Sequence, residues 1–479
     1  MPRSVPPIEA IAHVHFVGVC GTAMGSLACM LAARGFKVSG SDTDAYPPMS
    51  DQLRAAGIEV QKGWDPARLR EVPDLVVVIG NVARPDNPEA RAAIEAGLPY
   101  LSFCDALSHF FLRGKHSVVI TGTHGKTTTT SIVAWMLTHA GRDPSALIGG
   151  VFENFGGSFR LGEGREFVIE GDEYDTAFFD KTPKFLHYDA RTVLITSVEF
   201  DHADIYPSLE AIQDAFRELV VSIPADGRII AATDSDTVRA VLGGAAAPVE
   251  GYGFRDGARW RVSDVAFDPE GTQFTVWNRD ERAARVRMPL FGRHNVENVL
   301  GAIAVCASLG LEPERAARAM TEFHGVKRRQ EVRGEAAGMV VIDDFAHHPT
   351  AVRETIAAIR ARYPERRLIA IFEPRSNTSR RRVFENEYAD AFAAADEAIL
   401  AGVFKKADSL SEADQLRPDF VVERVRKAGK QARYLAGVDD IIEHLVRERT
   451  GKDVALVMSN GGFGNIWERL LARLRQESK

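Results

Sequence analysis

The segment TGTHGKTT, residues 121–128, holds the side chains of this sequence that are best suited to phosphate chemistry. Glycines let backbone N–H groups approach a phosphate, a lysine neutralises its charge, and a threonine hydroxyl can bind magnesium beside it. The apolar run SVVIT before the segment and the periodic run after it predict a strand, a tight turn and a helix. The strict motif requires glycine at Ile120, so this turn is a shortened variant. We call it the phosphate loop and predict that it binds ATP through Gly122, Thr123, His124, Gly125, Lys126, Thr127 and Thr128.

Acidic side chains follow two further predicted strands. The run FVIEGDEYD ends a buried strand, and LITSVEFDHADIY ends another; their candidate residues are Glu170, Asp172, Glu173, Asp175, Glu199, Asp201, His202 and Asp204. Buried carboxylates are costly unless they are paired or bound to a cation. Because the carboxyl ends of parallel strands open onto one crevice, we expect both groups to serve a magnesium ion beside the phosphate loop.

A second glycine turn, GVCGTAMG, occupies residues 18–25. It follows a predicted strand and begins a predicted helix, so Gly18, Gly21 and Gly25 could present N–H groups to a phosphate. Asp42 ends the next strand, where an acid binds ribose in dinucleotide folds. The spacing is GxxGxxxG rather than GxGxxG. An NAD-dependent oxidoreductase and simple close packing of helix and strand both stay open as alternatives.

These motifs need elements to position them, and the hydrophobic pattern alternates strand and helix. Residues 13–112 show this alternation repeatedly, which predicts a parallel sheet. The pattern restarts near Lys115, changes to short antiparallel strands between about 225 and 292, and restarts again at MVVIDDF. The chain is therefore predicted to be an α/β protein with three successive domains.

Composition and charge narrow the class of partner. The 479 residues leave room for about three domains of ~150 residues. The 59 basic and 66 acidic side chains give a net charge of −7, which argues against a nucleic-acid binder. No apolar run approaches the ~18 residues of a membrane span, and no secretory signal begins the chain. The four cysteines are too dispersed for a zinc site or a disulfide framework, so we expect a cytoplasmic protein with small-molecule partners.

Over nearly its whole length, the chain resembles the Mur ligase family of ATP-dependent amide-forming enzymes in peptidoglycan synthesis. The resemblance rests on motifs that occur in the family's order: GTHGKTTT, DEYD, FDHADIY, GRHNVENVLGAIA, GVKRR, DDFAHHPTAV and EPRSNT. It implies a Rossmann-like UDP-sugar-binding domain at 1–113, a central P-loop ATPase-like domain at 114–328, and a Rossmann-like peptide-binding domain at 329–479.

The resemblance also implies residue roles. Lys126 would contact the β- and γ-phosphates of ATP, and Mg²⁺ would be bound by Thr127, Glu173 and His202. The other ATP contacts would be His294, Asn295, Asn298, Arg329, Asp344 and His347, of which His347 would join Lys126, Glu173 and His202 in catalysis. The UDP-sugar would use Gly18, Gly21, Gly25 and Asp42, and the peptide would use Arg375, Ser376, Asn377, Thr378, Gly461 and Gly462.

Three segments bear on the substrate. FFDKTPKFLHY, EPRSNT and SNGGFGN resemble those of family members that join the murein tripeptide L-Ala-γ-D-Glu-meso-diaminopimelate to UDP-N-acetylmuramate in peptidoglycan recycling. The implied reaction passes through an acyl phosphate and releases ADP and phosphate. The alternative is addition of L-alanine to the same nucleotide sugar, by members that share GVKRR and DDxxHHPT. A non-catalytic nucleotide-binding regulator is a further alternative, but it gives His202 and EPRSNT no role.

Two departures from the family are visible. Some members carry a carbamylated lysine shortly after the magnesium histidine, whereas this sequence has no lysine from His202 to Arg239. The register places Phe216 and Arg217 at that point, so we expect no lysine carbamate. The basic run SRRR after EPRSNT is the second departure, and it bears on the assignment of the peptide.

Overall fold

The computed structural model describes residues 5–45, 49–70, 72–406 and 410–477. Backbone contacts divide the chain into two compact units. The first comprises Met1–Glu199, Glu210–Arg261 and Gly301–Ala319, and the second comprises Phe200–Leu209, Val262–Leu300 and Met320–Lys479. Strands and helices alternate along the described ranges, so the predicted α/β class is confirmed. None of the helices in those ranges combines the length and the apolar character that crossing a bilayer requires.

The N-terminal part of the first unit is a parallel sheet with helices between its strands. The strands are β1 (His13–Val17), β2 (Lys37–Asp42), β3 (Val60–Lys62), β4 (Leu75–Ile79) and β5 (Tyr100–Ser102), and the helices are α1 (Thr22–Ala33), α2 (Met49–Ala55), α3 (Pro88–Glu95) and α4 (Phe103–Leu107). The sheet order is β3-β2-β1-β4-β5. The central strands β1 and β4 are buried on both faces, which explains the unbroken apolar run LVVVI of β4.

The middle of the chain contains the phosphate loop. Its elements are β6 (His116–Thr121), α5 (Lys126–His139), β7 (Ser145–Phe152), β8 (Gly157–Arg160), β9 (Glu166–Gly171), β10 (Asp175–Ala177), β11 (Asp180–Pro183), β12 (Thr192–Ile195), α6 (Leu209–Ser222), β13 (Arg228–Ala232), α7 (Asp236–Arg239), β14 (Val249–Gly253), β15 (Trp260–Asp268), β16 (Gly271–Asn278), β17 (Glu281–Met288), α8 (Arg293–Ser308) and α9 (Pro313–Arg318). β6 is parallel to both β9 and β12, its neighbours on either side. The phosphate loop and the carboxyl ends of β9 and β12 therefore lie at one edge of the sheet. The antiparallel pairing predicted between about 225 and 292 is found in the hairpin of β16 and β17. It is wrong for β13 and β14, which extend the parallel part of the sheet.

The C-terminal elements, all in the second unit, form a second predominantly parallel sheet. They are β18 (Glu331–Ala336), β19 (Met339–Asp344), α10 (Pro349–Arg362), β20 (Arg367–Phe372), α11 (Glu385–Ala391), β21 (Glu397–Leu400), α12 (Pro418–Lys427), β22 (Gln431–Tyr434), α13 (Val438–Arg447), β23 (Asp453–Met458) and α14 (Ile466–Glu477). The order is β18-β19-β23-β20-β21-β22, and only β18 is antiparallel to its neighbour. Met458 is in register with both Asp344 and Phe372, so the loops that follow β19, β20 and β23 emerge together.

The segment FFDKTP supplies the turn and the second strand of the β10–β11 hairpin. Phe178 and Phe179 pack against the apolar cluster of β1, β4 and α3, and the Phe179 ring centroid lies 5.2 Å from that of Tyr100. This hairpin therefore gives part of its apolar surface to the N-terminal sheet of the same unit.

Candidate active site

The phosphate loop joins β6 to α5 through two glycines in left-handed or related conformations. Gly122 has φ +128° and Gly125 has φ +80°, values that side-chain-bearing residues rarely adopt. A Cβ at Gly122 would also collide with the hydroxyl of Thr196 and the backbone of Ser197. Only glycine lets the loop turn this tightly against the end of β12.

The segment after β12 fixes the shape of the phosphate loop. The N–H of Thr123 donates to the carbonyl of Ser197 at 3.0 Å, and the N–H of His124 donates to the Ser197 hydroxyl at 3.0 Å. The hydroxyl of Thr196 donates to the carbonyl of His124 at 2.6 Å. These bonds hold the loop in a ligand-ready shape, so binding need not order it.

Lys126 begins α5 and turns back over the loop. Its Nζ donates to the Gly122 carbonyl at 2.6 Å and lies 3.0 Å from Oε2 of Glu173. Burial disfavours the ammonium charge, but the carboxylates of Glu173 and Asp172 outweigh it and raise the pKa of Lys126 above its ordinary value. Lys126 is therefore a fixed positive charge at the helix N-terminus, as phosphate binding requires.

Thr127 and the end of β9 offer the hard oxygen ligands that Mg²⁺ prefers. The Thr127 hydroxyl donates to Oε2 of Glu170 at 2.9 Å, and Glu173 is 1% exposed. Glu170 also accepts from the N–H of Gly149 at 2.5 Å. Thr128 is half-buried beside them. The hydroxyl and carboxylates fit a magnesium ion, and Glu170 is a member of this group that the family resemblance alone did not assign.

Phe216 and Arg217 occupy the position at which some family members carry a carbamylated lysine, and neither side chain can replace it. Phe216 is completely buried on α6, with its ring centroid 5.3 Å from that of Phe185, and Arg217 pairs with Asp214 on the helix surface. The position serves the packing of α6.

In the second unit, the FDHADIY segment is tied to the EPRSNT loop. Asp201 is 5% exposed and accepts from the Thr378 hydroxyl at 2.6 Å, and Asp204 accepts from the Asn377 amide at 2.7 Å. Burial raises the pKa of Asp201, but His202, His347 and His348 outweigh it, so the net shift is well downward. Asn377 and Thr378, predicted to bind peptide, thus position the neighbourhood of His202, which itself has φ +51°.

Arg375 and Gly461 meet where the loops after β20 and β23 emerge. The guanidinium of Arg375 stacks 3.6 Å from the ring centroid of Phe404, and a Cβ at Gly461 would collide with the Arg375 side chain. Ser376 makes a turn in which its hydroxyl lies 2.9 Å from that of Ser379, while Gly462 is exposed with open space around it. Nη1 of Arg375 also lies 3.6 Å from Oε1 of Glu373.

The residues predicted around the base and ribose of ATP form two hydrogen-bonded groups. The Asn295 amide donates to the Phe291 carbonyl at 2.8 Å, and the Asn298 amide donates to Asn295 at 3.2 Å. Asp344 accepts from the N–H groups of Gln330 and Ala346, both at 2.8 Å. The Gln330 side chain lies 3.3 Å from Nε2 of His294, which links the two groups.

The GVKRR segment contains an arginine that the sequence could not distinguish from its neighbour. Arg328 lies between the rings of Phe345 and Trp467 and donates to the carbonyls of Ser459 and Gly461, at 2.6 and 2.7 Å. Arg329 stacks on the Phe345 ring at 4.8 Å, and His347 Nδ1 lies 3.1 Å from the Phe345 carbonyl. Arg328 therefore fixes the loop that carries Gly461. Because Arg328 and Arg329 are adjacent and identical, the sequence cannot show which of them is held in place by other residues.

A cavity of about 560 Å³ opens beside the N-terminal glycine turn. Its lining includes Cys20, Gly21, Asp42, Trp64, Arg84 and Asn87. Gly21 has open space at its Cβ position, whereas a Cβ at Gly25 would collide with Met49 and one at Gly18 would approach Val82 to 2.8 Å. Asp42 accepts from the N–H of Cys20 at 2.8 Å. Gly21 and Asp42 face the cavity, while Gly25 allows α1 to pack on α2.

Three family patterns match the chain in succession. The Mur ligase family catalytic domain matches residues 13–115, the Mur ligase middle domain matches residues 120–306, and the Mur ligase glutamate ligase domain matches residues 328–461.

Individual relatives match over nearly the full length. The chain is 40% identical over 473 residues to UDP-N-acetylmuramate-L-alanyl-γ-D-glutamyl-meso-2,6-diaminoheptandioate ligase of Escherichia coli, covering 98% of this chain and 99% of the relative. It is 34% identical over 466 residues to UDP-N-acetylmuramate-L-alanine ligase of Lachnospira eligens, covering 96% and 98%. The crystal structure of a murein peptide ligase from Psychrobacter arcticus matches with a TM-score of 0.73 at 36% identity, covering 97% of this chain and 99% of that one.

Proposed function

The chain belongs to the Mur ligase family of ATP-dependent ligases, and we propose that it joins the tripeptide L-Ala-γ-D-Glu-meso-diaminopimelate to UDP-N-acetylmuramate. The observation that carries the proposal is the 40% identity, over 98% of the chain, to an enzyme named for that reaction. The L-alanine-adding relative is similar over a comparable length at 34%. Because ATP and nucleotide sugars are substrates of the cytoplasm, the proposal places the enzyme there.

The first step would transfer the γ-phosphoryl group of ATP to the lactyl carboxylate of the nucleotide sugar. Both reactants are anions, so the site must neutralise charge and hold the groups in line. The phosphate loop is held in a fixed shape by its hydrogen bonds to Ser197, and Lys126 supplies a positive charge beside it. The product of this step would be an acyl phosphate, with ADP as the leaving group.

Thr127, Glu170 and Glu173 are the residues of the first unit that would hold Mg²⁺. When bound, Mg²⁺ would offset the negative charge of the transferring phosphoryl group. His202 stays a predicted ligand on the strength of the family motif.

The second step would be attack of the peptide amine on the acyl phosphate, with loss of phosphate. The tripeptide carries several carboxylates, which arginine binds well through paired hydrogen bonds. Arg375 is half-buried, its guanidinium lies 3.6 Å from Glu373 and is oriented by the ring of Phe404, and a peptide carboxylate would compete with Glu373 for it. We therefore assign Arg375 to a peptide carboxylate.

The N-terminal cavity would take the UDP-sugar. Gly21 leaves room for a ligand at the start of α1, and Arg84 and Asn87 line the same space. An arginine and a helix N-terminus suit a diphosphate. An equilibrium titration with UDP-N-acetylmuramate and with NAD would distinguish this role from the dinucleotide alternative.

The test is phosphate release by the purified protein with Mg-ATP and UDP-N-acetylmuramate, comparing the tripeptide with L-alanine. Product mass is read in parallel. A product that contains the tripeptide is the expected result. Turnover with L-alanine alone would assign the chain to the de novo branch, and the absence of turnover with either amine would contradict the proposal.

A further inference from the structure

Lys184 is a buried lysine that the reaction described above does not use. Its side chain is 10% exposed at the end of the β10–β11 hairpin, and its Nζ lies 3.0 Å from Oδ2 of Asp172. The ammonium also lies 4.2 Å from the ring centroid of Tyr174. Burying a charge is costly unless it is paired, so a lysine in this place indicates a specific electrostatic task.

Asp172 is shared between Lys184 and the lysine of the phosphate loop. Its Oδ1 lies 4.0 Å from Nζ of Lys126, which is itself 3.0 Å from Glu173. Two lysines and two carboxylates thus alternate in a row, Lys184, Asp172, Lys126 and Glu173. The closer contact is with Lys184, so Lys184 carries most of the neutralisation of Asp172.

Cys104, on the neighbouring helix α4, is not a second anion beside Lys184. Cys104 lies in hydrogen-bonding range of Thr176 at 2.9 Å and of Tyr188 at 3.3 Å, and burial raises the pKa of the Cys104 thiol to about 11. Within the described residues, Asp172 is the carboxylate that Lys184 pairs with.

We propose that Lys184 is a positioning residue: it neutralises Asp172 and thereby leaves Lys126 available to the phosphates of ATP. Without Lys184, the carboxylate of Asp172 would have Lys126 as its remaining ion-pair partner. Coulomb attraction at these distances is strong in a buried site, so Lys126 would be drawn from the phosphates toward Asp172. The proposal rests on the ATP site proposed above but not on the identity of the peptide.

The test compares Lys184→Met, Asp172→Asn and the double variant. Mg-ATP binding is measured with a fluorescent ATP analogue, and thermal unfolding is followed in parallel. We expect Lys184→Met to weaken nucleotide binding by at least about tenfold. Asp172→Asn should lower stability, because it leaves Lys184 unpaired, but should retain nucleotide affinity. The double variant should return to within about twofold of wild type.

The matched control is Lys427→Met, which removes a lysine that is 72% exposed in a pair with Glu423 and should bind nucleotide like wild type. Unchanged nucleotide affinity in Lys184→Met, or no recovery in the double variant, would overturn the proposal. If Lys184→Met does not fold, Lys184→Arg keeps the charge, and a folded Lys184→Arg with tenfold weaker binding would equally overturn it. A wild-type protein that binds no Mg-ATP would instead refute the ATP site itself.

Discussion

Nζ of Lys126 lies 3.0 Å from Oε2 of Glu173 while also donating to the carbonyl of Gly122. The lysine that the phosphate loop presents to ATP is therefore paired with an acid at the end of the neighbouring strand β9. This arrangement follows from the parallel pairing of β6 and β9, in which Thr121 is in register with Gly171. A ligand phosphate would replace the carbonyl and the carboxylate as partners of an ammonium that is already in place.

Removing that ammonium should abolish turnover. We expect Lys126→Ala to lower kcat by at least about 10³-fold, since the transferring phosphoryl group loses a fixed charge. Phosphate release under saturating substrates measures the loss, and thermal unfolding should still be cooperative. Lys427→Ala, on the surface of α12, serves as control. Near wild-type turnover by Lys126→Ala would refute the role of the phosphate loop.

Thr127 should control the magnesium requirement. Its hydroxyl is held by Glu170 at 2.9 Å, so Thr127→Val removes an oxygen ligand at nearly constant volume. We expect the Mg²⁺ concentration for half-maximal turnover to rise about tenfold or more, whereas Thr127→Ser should stay close to wild type. A titration of Mg²⁺ at fixed ATP gives both values. Equal behaviour of the two variants would contradict a role for the hydroxyl.

Substitutions of two N-terminal glycines should have different effects, one on ligand binding and the other on stability. Gly21 has open space at its Cβ position on the cavity wall, so Gly21→Val should raise KM for UDP-N-acetylmuramate by about tenfold or more. Gly25→Ala should instead lower the free energy of unfolding by about 1–3 kcal/mol, because the new methyl group collides with Met49. Steady-state kinetics and denaturant unfolding of both variants test this contrast. A loss of stability in Gly21→Val comparable to that in Gly25→Ala would remove the distinction.

Arg375 and Gly461 should act as one unit in peptide recognition. Arg375→Ala should lower kcat/KM for the tripeptide by about 100-fold with little change in KM for ATP. Gly461→Ala displaces the same side chain and should cause part of that loss. In the double variant, the glycine change should add little to the loss caused by Arg375→Ala. Fully additive losses would show that Gly461 acts independently of Arg375.

His187 should make stability depend on pH. Its Nδ1 lies 2.9 Å from Asp105 and its Nε2 lies 3.5 Å from Asp180. Burial lowers the pKa of His187, but Asp105 outweighs it and the net shift is upward; the net shift of Asp105 is downward, because His187 and Ser102 outweigh its burial. Because the pKa of His187 is raised in the folded protein, the protonated histidine stabilises the fold fully at pH values below its ordinary pKa of ~6.5. This stabilisation is lost as the pH rises through the pKa of the folded state. Because the pKa of Asp105 is lowered, its carboxylate stabilises the fold fully at pH values above its ordinary pKa of ~3.9. This stabilisation is lost as the pH falls through the pKa of the folded state.

The ion pair therefore contributes most between those two limits. We expect His187→Asn to cost more free energy of unfolding at pH 6 than at pH 9, as measured by urea unfolding. Glu443→Gln, in an exposed pair with Arg473, should show no such difference. An equal cost of His187→Asn at both pH values would show that His187 contributes through packing alone.

The sequence by itself determined the fold class and the chemistry at the strand ends. Strand, glycine turn and helix around Lys126 are local features, because they depend on apolar periodicity and on glycines that tolerate positive φ. The acids after β9 followed from the same local pattern. That these ends share an edge was inferable, since parallel strands present their carboxyl ends together.

Tertiary structure decided which of several chemically equal candidates occupies each role. Asn377 and Thr378 were predicted to bind peptide, yet they bond to Asp204 and Asp201, which lie more than a hundred residues earlier in the chain. Lys184 and Lys181 are three residues apart, but one is 10% exposed at its side chain and the other 68%. Burial and ion pairing depend on contacts between segments that are distant in sequence, so composition and spacing cannot reveal them. Backbone conformation depends largely on residues that are close in sequence, so it can be predicted from them.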